Sequence, residues 1–342
     1  MLAVLRFGVP FDLLVPTGAE YRLSAYIDDG YTVLADIPAR SDIPLASAQP
    51  EEIALNDAPA HMANLLSIKF SKDTFNRAVG SSIDPPEPVI GRAIRSLLGR
   101  LKYVAKAPQI RPIEFPHCAW RLQYLNDDGS ELAETPGLIR GRGTLHFSFS
   151  YIACDPKLWD LVFSLPPDFE PPAWHTLLID ATGALPHVGT AVVLAATALE
   201  IFIAEVLNQL ATLSPVPPPL WHWINDRGNW QKEPSVEEQY DVLLKVLCGH
   251  SLKEDNALWE ALKNLRTARN SFVHAGASIV GRVECSSQEA AVLIGKASQV
   301  IATVRTWLPE SLHWPEFEHN VKVQFAKQIV RAEPDRPESE GV

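Results

Sequence analysis

A proline run near the middle of this chain, Leu165-Pro166-Pro167-Asp168-Phe169-Glu170-Pro171-Pro172, limits its architecture more than any other feature. Proline fixes φ and lacks a backbone N–H, so such a run extends neither a helix nor the interior of a sheet. It divides 342 residues, enough for two separate cores, into stretches with different hydrophobic periods. Before the run, apolar residues alternate at period two; after it, they recur at three and four. The expected fold is α+β. A mixed, strand-rich domain covers residues 1–170, an all-helical bundle covers 173–308, and an extension covers 309–342, with disorder expected from Glu333 onward.

In the first stretch, Ala3–Val15, Glu20–Ile27 and Tyr31–Ile37 read as strands, the last two joined at Asp28-Asp29-Gly30. Asn126-Asp127-Asp128-Gly129 joins Ala119–Leu125 to a following strand, and Gly143–Ile152 alternates like another. Pro88–Ala105 reads as a helix with Pro88 in its first turn. Its apolar face is Ile90, Ile94, Leu97, Leu101 and Val104, and Arg92, Arg95, Lys102 and Lys106 share the opposite face. That basic row is either a guide for an RNA backbone or the solvated side of an amphipathic helix. No glycine-rich phosphate loop or paired-cysteine site occurs in this half.

The second stretch predicts helices over Ala173–Leu185, Val188–Leu213, Ser235–Gly249, Asp255–Ala275 and Ser286–Leu308. Ser235 with Glu238, and Ser286 with Glu289, have the spacing of capping boxes. Val188–Leu199 is the most apolar run, but it meets Glu200 well short of the roughly 18–20 residues a membrane span needs. A buried helix is expected there, and no membrane partner. Trp221, Trp223 and Trp230 either stack on bases or pack a long loop onto the bundle.

Lys and Arg total 30 against 41 Asp and Glu, a net charge of −11. A broad basic nucleic-acid surface does not fit that balance, whereas a small local cationic site does. Cys118, Cys154, Cys248 and Cys285 form no CxxC pair, which argues against a disulfide framework and a cysteine zinc site. The histidines lack a helical i,i+3 or i,i+4 partner of the metal-ligand kind. No metal or cofactor is therefore expected. Met1–Pro10, interrupted by Arg6, is too short for a signal peptide, and the cytoplasm is the expected compartment.

The chemistry concentrates in Leu258–Gly276. Leu258, Leu262, Leu265 and Phe272 form an apolar stripe with Arg269 at its edge, while Arg266, Asn270 and His274 follow along one polar shoulder. Gly276 supplies the C-cap, so His274 occupies the last turn. A guanidinium beside a packing surface calls for an anion, and an imidazole is the side chain suited to proton transfer near neutral pH. Together they point to phosphodiester chemistry. Glu200 interrupts an apolar stretch and is expected to be buried and paired with Arg266 or Arg269, either holding the guanidinium or acting structurally.

Arg269, Asn270 and His274 reproduce an Arg-Asn-x-x-x-His pattern that resembles the signature of the HEPN superfamily. Arg111 to His117 and Arg140 to His146 match the looser Arg–His spacing, but Pro112, Pro116, Gly141 and Gly143 deny them a helix. The helix around Thr190–Phe202 is similar to the first long helix of HEPN domains, especially the ApeA-like group of prokaryotic defence proteins. The resemblance covers roughly residues 173 to 308. It implies a metal-independent endoribonuclease that works by 2′-OH attack, as an antiphage or toxin-like effector acting on RNA, with tRNA among the candidates. Arg269, Asn270 and His274 would be its catalytic residues, and a homodimer through the bundle would bring two motifs into one cleft. The N-terminal domain would sense a trigger or restrain the nuclease. The other reading is a non-catalytic HEPN module that binds a nucleotide or a protein.

Overall fold

Residues 1–39, 53–73, 75, 84–116, 118–126, 128–136, 151–225 and 233–325 are described by the computed structural model. Most of the expected strand Gly143–Ile152, together with Trp230 and Glu333–Val342, lies outside them.

The first half runs β1 (Leu2–Pro16), β2 (Ala25–Asp28), β3 (Tyr31–Ala35), β4 (Ile53–Leu55) and β5 (Ala58–Ser71). Next come α1 (Glu87–Ala105), β6 (Trp120–Leu125), β7 (Glu131–Pro136), β8 (Tyr151–Ala153) and α2 (Pro156–Ser164). The second half is mainly helical: α3 (Ala173–Ala184), α4 (Val188–Leu213), α5 (Pro218–Asn225) and α6 (Val236–Glu238). A π turn (Gln239–Leu243) continues into α7 (Leu244–Cys248), followed by α8 (Asn256–Ala275), a β9–β10 hairpin (Ile279–Val280, Val283–Glu284) and α9 (Ser287–Thr306). β11 (Val323–Phe325) is the last described strand. The fold class is α+β.

Two compact units result, and neither is one continuous stretch. The first comprises residues 1–97, 112–167 and 318–342; the second comprises 98–111 and 168–317. This corrects the expected succession of domains 1–170, 173–308 and 309–342, for physical reasons that lie in tertiary contacts. Within the second unit, Lys102 is buried and pairs with Asp180 at 2.5 Å, and Pro108 sits so close to Gly183 that a Cβ there would meet it at 2.6 Å. Trp314 packs on Trp174 and Phe202, with ring centroids 5.4 and 5.8 Å apart. Within the first unit, β11 pairs antiparallel with β4, and His319 Nε2 lies 2.8 Å from Asp155 Oδ1.

The sheet of the first unit runs in the order β11-β4-β5-β1-β6-β7, with β3 also on β5, β2 on β3, and β8 parallel to β1. β1 is the central strand. Its register with β5 shifts between Gly8 and Leu13, around Pro10, which has no N–H for the ladder. The β2–β3 turn places Asp29 and Gly30 at positive φ, the geometry of a two-residue type I′ hairpin. The strand expected from Glu20 begins only at Ala25.

The second unit is built around α4. This is the one helix among the described residues that is long and apolar enough to cross a membrane by length and composition. Its apolar course continues beyond Glu200 to Leu213, longer than the Val188–Leu199 run alone suggests. Its buried side chains include Val192, Leu199, Phe202, Val206 and Leu210, and α3, α7, α8 and α9 pack on it. Tyr240, buried in the π turn, donates its hydroxyl to the Leu199 carbonyl at 2.9 Å. Both capping boxes form, at Ser235/Glu238 and Ser286/Glu289.

α8 approaches α4 closely at Gly189, where an added Cβ would lie 1.9 Å from the Phe272 ring. Gly189→Ala should therefore lower stability by about 1–3 kcal/mol through overpacking. Gly295→Ala, on an exposed position of α9 with nothing within 4 Å, should raise it by about 0.5–1 kcal/mol from helix propensity. Urea denaturation of both variants checks the pair; equal effects of the same sign would contradict the described α4–α8 approach.

Candidate functional site

The end of α8 carries the Arg269–Asn270–His274 motif. Asp255 caps the helix by accepting from the N–H groups of Ala257 and Leu258, and Gly276 ends it in the left-handed region with its N–H on the Phe272 carbonyl. The buried stripe is Leu258, Leu262, Leu265 and Ala268, with half-buried Phe272 continuing it onto Gly189. Ala268 therefore takes the place in the stripe that lets Arg269 lie along the margin. Ser271, inside the motif, donates to the Ala268 carbonyl and accepts from the Ile279 N–H at 2.7 Å, which ties the β9–β10 hairpin to the last turn.

Arg269 is half-buried. Its Nη1 donates to Asn270 Oδ1 at 3.0 Å, and its Nε is buried with no hydrogen-bond partner among the described residues. Asn270 and His274 are exposed. Asn270 thus holds the guanidinium, rather than having its carbonyl free for His274. Arg266 pairs with Glu237, at the start of α6. This corrects the expected link from Glu200 to Arg266 or Arg269. Glu200 is half-buried and near Tyr240; burial first and Glu200 second keep that phenol well above its ordinary range.

The basic row on α1 is not one open face. Arg92 makes two hydrogen bonds to the Asp28 carboxylate, at 3.0 and 2.9 Å, and Lys102 is buried on Asp180. Arg95 and Lys106 are exposed, and Lys106 lies just past the end of α1 at positive φ, off the expected helical face. The helix period placed all four together, but partners distant in sequence decided which of them keep free charge. Of the tryptophans on α5, Trp221 donates its indole N–H to Asn208 at 2.9 Å, while Trp223 is exposed. No group of three or more His, Cys, Asp or Glu suited to a metal occurs among the described residues.

Sequence reasoning missed a cavity of about 350 Å³ within the second unit, lined by Tyr103, Trp174, His175, Trp314 and Phe317 among others. Adjacent aromatic residues at the start of α3 were its only sequence signal, and ordinary core packing gives the same signal. Tyr103 packs on His175, with centroids 4.3 Å apart, and donates its hydroxyl to the Pro315 carbonyl. No family model, curated protein or solved structure matches this chain.

Burial, with a smaller effect of Lys106, pushes the His175 imidazole from 6.5 down to about 4. Between those values the unfolded chain binds a proton that the folded chain refuses. The stability from neutral His175 is complete above the unfolded value and is lost as pH falls toward 4, by at most roughly 3 kcal/mol. In urea titrations at stepped pH, His175→Phe should lose less stability on acidification than the native chain. Parallel curves would show that His175 does not contribute to acid sensitivity.

Proposed function

We propose that the chain is a metal-independent HEPN-type endoribonuclease whose chemistry is carried by Arg269, Asn270 and His274. The observation that supports this most is the state of Arg269. Its guanidinium is oriented by Asn270, has a buried unpartnered Nε, and sits at the end of a capped helix whose last turn exposes His274. A fixed guanidinium of this kind matches phosphate oxygens, and an exposed imidazole can exchange a proton with substrate.

In this mechanism the ribose 2′-oxygen loses its proton to a base and attacks the adjacent phosphorus. The bond to the 5′-oxygen breaks, and that oxygen gains a proton from an acid. The products are a 2′,3′-cyclic phosphate and a 5′-hydroxyl. Arg269 offers its guanidinium fork to the phosphorane oxygens. One His274 cannot be both base and acid in the same event, which favours a homodimer with two motifs in one cleft. An apolar groove lined by Val280, Val283, Val292 and Leu293 follows α8 in the same unit, with Val283 and Val292 strongly exposed. That groove supports assembly through the helical unit. The wider reading is a cytoplasmic antiphage or toxin-like effector acting on RNA, with tRNA among the substrates to test.

His274→Ala should reduce cleavage of total RNA by about 10²- to 10⁴-fold, and Arg269→Lys should recover little of the loss seen in Arg269→Ala because the planar fork is gone. Product ends should be cyclic phosphate and 5′-hydroxyl, and EDTA should leave the rate unchanged. A folded His274→Ala protein with full activity would transfer the motif to the non-catalytic binding reading.

The composite cleft is tested separately by mixing. Adding His274→Ala subunits to native protein should lower activity more steeply than dilution alone, since mixed dimers lack one proton-transfer group. A fully active monomer by light scattering would refute the composite site while leaving the residue roles to the variants above.

A further inference from the structure

The cavity of about 350 Å³ falls in the size range of small-molecule sites and is walled mainly by rings. Tyr103 and Phe317 lie 6.2 Å apart, and Trp174 and Trp314 lie 5.4 Å apart, both pairs edge-on. In an edge-on pair one of the two rings keeps its face clear of the other, so a wall built of such pairs can present a flat face to a further ring. All the lining residues belong to the second unit.

Charge selects among flat ligands. Arg305 lines the cavity, but its guanidinium is taken up by the Glu316 carboxylate and, at 3.0 Å, by the Trp314 carbonyl. That pair is neutral overall. His175 is held neutral at physiological pH by its burial. Lys106 is the remaining charge at the cavity, exposed, and no carboxylate pairs with it among the described residues. An aromatic cage with a surplus carboxylate would suit an organic cation; here the surplus is an ammonium. The lining side chains that hold a buried nitrogen without a partner among the described residues include His175 Nδ1 and Arg305 Nε. Such groups carry an unmet desolvation cost, which a small rotation toward a bound polar group would relieve.

The geometry points to a binding site for a flat aromatic ring carrying one anionic group, with the ring between the aromatic walls and the anion on Lys106. The site is independent of the ribonuclease reading. Nucleoside monophosphates and aromatic carboxylates share this chemistry, and the test separates them.

The full chain is titrated calorimetrically with adenosine 5′-monophosphate, indole-3-acetate and uncharged adenosine. At least one anion should bind at concentrations below about 1 mM, with adenosine weaker than adenosine 5′-monophosphate by about tenfold or more. The tighter of the two anions identifies the source. Lys106→Glu should weaken the anion by about tenfold or more and leave adenosine unchanged. Ala302→Trp, at an exposed helix position that lines the cavity, should abolish binding by filling it. If Lys106→Glu fails to fold, Lys106→Gln replaces it, with a smaller loss in the same direction. Absence of binding to the folded native chain, or binding unchanged in folded Lys106→Glu and Ala302→Trp, would overturn the assignment.

Discussion

A helix apolar on nearly every side cannot leave any broad face in water, and the second unit is organised by that constraint on α4. Its buried positions point in several directions, so α3, α7, α8 and α9 all have to pack on it. The consequence for the candidate site is direct. Phe272 reaches the α4 backbone only because residue 189 has no side chain, and Phe272 lies between Arg269 and His274 in the final turns of α8. Once Phe272 is seated there, helical geometry sets the directions of the motif residues around it. A packing contact thus orients polar groups that take no part in it.

Polar contacts finish what the packing begins. Asp255 and Gly276 set the two ends of α8, and Ser271 anchors the following hairpin through the Ile279 N–H. Tyr240 reaches a carbonyl in the middle of α4 from a π turn, where the helix admits one extra residue per turn. Each is a local answer to the rule that buried donors and acceptors need partners. Arg269 Nε stands outside that rule among the described residues, as do His175 Nδ1 and Ser278 Oγ.

Much of this was legible in the residues, because helix ends are written locally. Ser235 and Glu238, Ser286 and Glu289, Asp255 and Gly276 each act within a few positions of themselves. The Asp29-Gly30 turn is equally local. What escaped depends on partners distant in sequence. Lys102 and Arg92 sit on one helix with the same spacing as any solvated lysine and arginine; Asp180 pairs with Lys102 where it is buried, and Asp28 pairs with Arg92 while it stays exposed. Arg266 finds Glu237 rather than Glu200 for the same reason. The partition of the chain into interleaved units was hidden too. A proline run marks where a chain stops being regular, but it carries no information about which earlier or later segments return to pack beside it.

These committed cations change the electrostatic argument about RNA. With a net charge of −11, the chain repels a polyanion at long range, and the row on α1 was the main candidate for a compensating track. Two of its four members are neutralised within the fold, so a phosphate backbone meets few free cations. The slope of log affinity against log salt follows the number of phosphates neutralised, and a small number means a shallow slope with weak binding. Screening also reduces the general repulsion, which opposes even that slope. Under these conditions discrimination among RNAs cannot come from extended backbone contact. On the proposed ribonuclease reading, discrimination would come instead from the shape presented where the proposed dimer brings its α8 ends together, rather than from surface charge.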